Sequence, residues 1–236
     1  MVIEPDRHTF GATSGFIVLE GVNGAGKTTL QRRIVEYIRT KGRGAVATRE
    51  PGATPVGEAI RNLVLSPRPD KITPTAELLL FAADRAEHVA KFIRPTLARG
   101  VSVVSDRFFY STTAFQGFGR GLDRATIDRL NTIAVGETVP DFVILLDLDA
   151  ATGLARTAGR ALAGKTSAES AAMESDAMES EAIDFHDRIR NGFLSLAASQ
   201  PEPFVVLDAR RTPDELFIAL TPILDRWLAA LPPPSS

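Results

Sequence analysis

The chain has 236 residues, 44% of them hydrophobic and 24% charged, enough for one large α/β domain or two small ones with a sizeable core. Its 27 basic and 29 acidic residues give a net charge of −2, which argues against general nucleic-acid binding, whose footprint is a basic excess. It has no cysteine, which excludes disulfides and thiolate metal sites, and no apolar run approaches the ~20 residues of a membrane span.

The first segment, MVIEPDRHTFGATSG, lacks the apolar core of a signal peptide, so residues 1–14 read as a flexible leader and the protein as cytoplasmic. FIVLE (16–20) has the length and composition of a strand. It runs into GVNGAGKT (21–28), which fits G-x-x-x-x-G-K-[ST] without a mismatch. Behind it, TTLQRRIVEYIRTKG carries Leu30, Ile34 and Ile38 on one helical face. A strand, a glycine loop and a helix in that order make a phosphate cradle. Glycines let backbone N–H groups turn inward, and the helix start adds positive potential. Gly21, Val22, Asn23, Gly24, Ala25, Gly26, Lys27, Thr28 and Thr29 are therefore candidate nucleotide contacts. Lys27 is expected to reach the β and γ phosphates, and the Thr28 hydroxyl to ligate Mg²⁺.

AVATRE (45–50) is a second strand, followed by TREPGATPVGEAIR (48–61), and LLLFAADRAEHV (78–89) reads as an amphipathic helix. VSVVSD (101–106) is a third strand, and DRFFYSTTAFQG leaves its carboxyl end. These segments bring Arg49, Arg61, Arg85 and Arg107. Guanidinium groups gathered at strand ends after a phosphate loop point to a second anion nearby. FVILLDL (142–148) is a fourth strand, and Asp147 and Asp149 read as strand-end and helix-capping carboxylates rather than a Walker B pair. No N-K-x-D run is present to read guanine. The three histidines, His8, His88 and His186, are scattered, and no zinc is expected.

TAGRALAGKTSAESAAMESDAMESEA (157–182) is low-complexity sequence in which AMES occurs twice. It predicts a weakly packed lid over about 156–182, carrying Arg156, Arg160 and Lys165. PFVVLD (203–208) is a fifth strand. TPDELFIALTPILDRWLAAL predicts a final amphipathic helix broken near Pro222, with Trp227 packed on the sheet, and 232–236 a frayed tail. The strand runs are continuously apolar, as in strands covered on both faces. The expected fold is therefore α/β, a doubly wound five-stranded parallel sheet with helices on both faces and a helical lid, in one domain over 15–231.

Read together, four segments resemble the bacterial thymidylate kinases, a family of P-loop nucleoside monophosphate kinases. They are E-G-x-x-G-A-G-K-T, R-E-P-G-G-T…G-E-x-I-R, L-F-x-A-D-R-A-x-H-V and D-R-x-x-x-S-x-x-A-Y-Q-G, in order, with similarity over roughly 15–230. The resemblance implies transfer of the γ-phosphoryl group of ATP to dTMP, with Mg²⁺, by a homodimer. It implies that Phe81 stacks on thymine and that Arg85, one turn further on, donates to its O4. Arg107 and Arg61 are implied to hold the acceptor's 5′-phosphate, with Glu50 nearby. Ser111, Thr112 and Gln116 match positions lining pyrimidine and sugar, and Asp106 a position ordering Mg²⁺ and the attacking phosphate. Because Ala25 leaves the loop without an arginine, the resemblance assigns the lid arginine to Arg156 or Arg160.

The match departs in four places. Asn23 stands where many relatives carry an acid, and Ala53 replaces a glycine. Phe115 replaces a tyrosine placed beside the sugar's 2′ position, and its bulk is expected to keep a preference for deoxyribose. The lid departs most, with an insertion before Asp184-Phe185-His186. Two alternatives stay open: a kinase for another pyrimidine nucleotide such as dUMP, whose O4 Arg85 would read equally, and a P-loop protein that binds nucleotides without turnover.

Overall fold

The computed structural model describes residues 14–66, 69–162, 183–200 and 203–233, without the side chains of 160–162. The leader up to residue 13, the lid from 163 to 182 with Lys165 and both AMES runs, and the last three residues of the tail lie outside the described residues. Five strands form one parallel sheet in the order β2–β3–β1–β4–β5. They are β1 (Phe16–Glu20), β2 (Ala45–Arg49), β3 (Ser102–Asp106), β4 (Phe142–Asp147) and β5 (Phe204–Asp208). Each bound lies within a residue of its apolar run. Neighbouring residues of a strand point to opposite faces, so the unbroken burial of β1 requires cover on both. At the sheet edge, β2 keeps only Ala45 buried.

Helices α1 (Lys27–Thr40), α2 (Pro55–Leu65), α3 (Pro74–His88) and α4 (Arg94–Ala98) connect the first three strands. After β3 come α5 (Phe109–Thr112), α6 (Arg124–Val135), α7 (Ala150–Leu162), α8 (Ile183–Ser199) and α9 (Pro213–Ala230). Proline at the first turn of α2, α3 and α9 starts each where an N–H would lack a partner. Thr54 caps α2, and Thr212 with Glu215 forms a capping box on α9. Between α3 and α4 the helix widens into a π turn (Val89–Ile93), in which the Arg94 N–H donates to the Val89 carbonyl. Pro95 follows at once, without an N–H for the Lys91 carbonyl, and the wide turn absorbs that missing bond. A second π stretch, Thr113–Gly119, continues α5. Among the described residues no helix is long and apolar enough to cross a membrane.

The predicted break near Pro222 does not occur: α9 runs unbroken from Pro213 to Ala230. The carbonyl Pro222 leaves without a helical donor belongs to Ile218, whose side chain is 70% exposed, so that turn faces solvent. The opposite face buries Leu216, Leu220, Ile223, Leu224 and Trp227, and that burial outweighs the local cost of roughly 3 kcal/mol.

Trp227 packs as expected. It is fully buried, its ring edge meets Phe142 at 6.0 Å, and its Nε1–H donates to Asp141 Oδ2 at 2.8 Å. The same carboxylate accepts from the Ser14, Gly15 and Phe16 N–H groups and so fastens α9 to the start of β1. Trp227→Ala is expected to lower unfolding free energy by about 3–5 kcal/mol in denaturant titration. Catalytic rates per folded molecule should be unchanged.

Candidate active site

The carboxyl end of β1 delivers the chain into the glycine loop, and the geometry there depends on backbone closeness. Gly24 has φ 78°, and a Cβ on it would lie 2.3 Å from the Gly153 carbonyl oxygen; a Cβ on Gly153 would lie 2.6 Å from that of Asn23. These two glycines let α7 settle directly on the loop. Lys27 is buried, and its Nζ donates to the Gly21 and Val22 carbonyls at 3.1 and 3.0 Å, which holds the ammonium at the loop's mouth. No side chain caps the start of α1, so its first N–H groups suit an anion. Thr28 Oγ1 donates to Asp106 Oδ2 at 2.8 Å, so the two predicted metal ligands meet. Hydroxyl and carboxylate oxygens are the hard donors that Mg²⁺ takes, with phosphate oxygens completing its shell.

Arg107 follows β3 and is, among the described residues, the one non-glycine with positive φ, at 75°. Its Nη1 donates to the Gly21 carbonyl at 3.2 Å and to Ser111 Oγ at 2.9 Å, and its Nη2 to Asn23 Oδ1 at 2.6 Å. The Phe115 ring lies 5.0 Å from the guanidinium carbon. Arg107 therefore spans from the glycine loop to α5, and strain of this kind gathers at functional sites. Asn23 keeps a hydrogen bond to Arg107 without adding negative charge. Alanine is unstrained at Ala53, which shows no positive φ.

Arg85 is 2% exposed and enclosed by acceptors. Its Nε donates to Glu50 Oε2 at 2.8 Å, Nη1 to Asn131 Oδ1 at 3.1 Å, and Nη2 to the Phe108 carbonyl and Thr112 Oγ1 at 3.2 and 2.9 Å. The second Glu50 oxygen lies 2.9 Å from His88 Nδ1, and His88 Nε2 lies 2.7 Å from Thr48 Oγ1. Phe81 sits one turn before Arg85 on α3 and is half-buried. Arg61 donates to the Pro51 carbonyl at 2.9 Å and lies over Gly52, where a Cβ would approach its side chain to 2.8 Å. Gln116 donates to Glu77 at 2.7 Å. Arg49 is exposed.

Arg156 sits on α7, with Nη1 donating to the Ala209 carbonyl at 2.9 Å. It lines a cavity of about 280 Å³ with Gly24, Ala25, Gly26, Thr29 and Arg211. Arg160 lies one turn further along α7, and its side chain is outside the described ones. Asp149 accepts from the Thr152 N–H, and Asp147 forms a two-bond ion pair with Arg190, so both serve the structural roles expected of them.

The family model described as thymidylate kinase matches residues 19–217. The chain belongs to the thymidylate kinase family. It is 45% identical to the thymidylate kinase of Geobacter sulfurreducens over 217 residues, 92% of this chain and 98% of that one. Against the thymidylate kinase of Cereibacter sphaeroides it is 43% identical over 222 residues, 94% and 99% of the two chains. The crystal structure of the Ehrlichia chaffeensis thymidylate kinase superimposes with a TM-score of 0.68 at 30% identity, covering 91% of this chain and 99% of that one. These likenesses bear out the resemblance and the fold read from the sequence.

Three site residues escaped the sequence reading: Glu20, His88 and Asn131. Glu20 ends a buried strand, an unusual place for a carboxylate and a usable signal. The partners of His88 and Asn131 come from other elements, which no local pattern reveals.

Two buried carboxyls are pushed upward. Burial raises Glu20 to about 7, against the charge of Arg107, the Ser111 and Phe108 donors and Lys27. Burial, then the Glu50 charge, raises Asp84 from 3.8 to about 6. Between those two values folded Asp84 keeps a proton that the unfolded chain has released, so its contribution to stability falls as pH rises through that window. Asp84→Asn keeps an acceptor for the Gly52 N–H, 3.0 Å away, and removes the titration. In thermal melts its Tm relative to wild type should climb from about pH 4 to about pH 6.5 and then level. A difference constant across that range would contradict the assignment.

Proposed function

We propose that the chain transfers the γ-phosphoryl group of ATP to dTMP, giving ADP and dTDP. The observation that carries the reading is the placement of Arg107. Its guanidinium touches the glycine loop through Gly21 and Asn23 and the opposite wall through Ser111, so a cation stands between the two phosphate sites.

The acceptor phosphate is already nucleophilic, so no general base is needed, and catalysis comes from alignment and charge neutralisation. Lys27 and the amides at the start of α1 hold the donor's phosphates. Thr28 and Asp106 would hold Mg²⁺, which when bound offsets phosphate charge. Arg107 and Arg61 hold the acceptor phosphate, with Glu50 supporting the site through Arg85. Phe81 offers its ring to the base. Four of the five Arg85 N–H donors are bonded among the described residues, which leaves one for the O4 acceptor. Cytosine carries an amino donor there and is repelled. Thr112, Ser111 and Gln116 line the pyrimidine and sugar, and the Phe115 ring crowds the 2′ position. The donor's base takes the cavity beside Arg156, and the lid arginine, Arg156 or Arg160, approaches the transferring group.

The reading includes a cytoplasmic homodimer. Val56 and Leu63 on α2, Leu79 on α3 and Ile133 on α6 are exposed, on helices that pack side by side. A second copy would cover them.

A coupled ADP-release assay with ATP and Mg²⁺ tests the function, with dTMP, dUMP, dCMP, UMP and dGMP offered in parallel. The expected kcat/KM for dTMP exceeds that for dCMP and UMP by at least roughly a hundredfold, the scale of a lost buried polar contact. Turnover with dUMP equal to that with dTMP would make uracil the base read. No turnover with any acceptor would overturn the kinase reading.

A further inference from the structure

Glu20 is the last residue of β1, and nothing of it reaches solvent. A carboxylate is costly in that position, and a neutral side chain would fill the space at less expense. Its hydrogen-bond partners among the described residues are donors. Oε1 accepts from the Phe108 and Ser111 N–H groups, each at 3.0 Å, and Oε2 accepts from Ser111 Oγ at 2.5 Å. A serine hydroxyl whose proton is committed to a carboxylate can only accept from any other partner. The partner here is Arg107, whose Nη1 donates to Ser111 Oγ at 2.9 Å. While Glu20 is ionised, the polarity thus runs one way, from Arg107 to Ser111 to the Glu20 carboxylate.

The geometry points to Glu20 as a positioning residue for phosphoryl transfer: through Ser111 it sets the Arg107 guanidinium against the glycine loop, without touching substrate itself. The inference rests on the reading that Arg107 holds the acceptor phosphate. A left-handed backbone is unfavourable for arginine by roughly 1–3 kcal/mol, so Arg107 stays where it is only if its surroundings hold it. The Gly21 carbonyl and Asn23 hold the guanidinium from the loop side, and the Glu20–Ser111 pair holds it from the other. With Glu20→Gln, shape and an acceptor for the two backbone N–H groups are kept. What changes is the order of donors: an amide N–H now faces Ser111, and the freed hydroxyl proton turns toward Arg107.

The test is steady-state kinetics of the full chain and of Glu20→Gln, Ser111→Ala, the double variant and Arg107→Lys, with melting curves to confirm folding. Glu20→Gln and Ser111→Ala are each expected to raise the KM for dTMP roughly tenfold or more, with the KM for ATP within about twofold of wild type. The double variant should be no worse than Ser111→Ala, since both act through one chain of bonds. An unchanged dTMP KM in either single variant, or additive effects in the double, would overturn the role of Glu20 while Arg107→Lys still raises that KM. If Arg107→Lys leaves the KM for dTMP unchanged, it is the phosphate-holding reading that fails. Should Glu20→Gln not fold, Glu20→Asp takes its place, since the shorter side chain withdraws the acceptor from Ser111; a raised KM for dTMP is expected, and an unchanged one overturns the role.

Discussion

Parallel pairing of β1 between β3 and β4 is the constraint on which the rest of the site depends. The register sets Leu19 beside Asp106 and Glu20 beside Leu145, so the chain leaves three strands at one edge. The Arg107 N–H donates to the Leu19 carbonyl at 2.9 Å, which continues the ladder one step past the last strand residue. The glycine loop, Asp106 and Arg107 consequently meet without any long connection. A slip of one residue would send Glu20 and Asp106 to the opposite faces and separate Thr28 from its carboxylate partner.

Charge at this edge is arranged in advance. Arg85, Arg61 and Arg107 are each held by carbonyl, hydroxyl, amide or carboxylate acceptors. Glu50 lies beneath Arg85 and His88, and Glu20 is linked to Arg107 through Ser111. A chain with a net charge of −2 can therefore present cations to phosphates without a basic surface. Fixed donors also require little reorganisation when charge shifts, which is the condition for electrostatic catalysis. Two glycines make a matching arrangement in the backbone: Gly24 and Gly153 bring α7 against the phosphate loop, and Arg156 comes with it.

Local chemistry was legible in the sequence where residues act through their own backbone neighbourhood. The strand, glycine loop and helix that run from Phe16 to Thr40 and the five apolar runs could be read because strand burial and tight glycine turns leave short patterns. Trp227 was legible as packing for the same reason. Pro222 was misread because the rule for proline is local, whereas the burial that keeps α9 straight comes from the sheet beneath it. Arg156 reads as a lid residue by position, yet its guanidinium is tied to the loop after β5. Glu20, His88 and Asn131 act through residues between 18 and 91 positions away, and no spacing announces such partners.

The most direct measurement is a crystal structure of the chain with dTMP bound. The account predicts the 5′-phosphate against the Arg107 and Arg61 guanidiniums, the base on the Phe81 ring, and O4 within hydrogen-bonding distance of Arg85. A nucleotide whose phosphate lies in the glycine loop with its base away from Phe81 would contradict it.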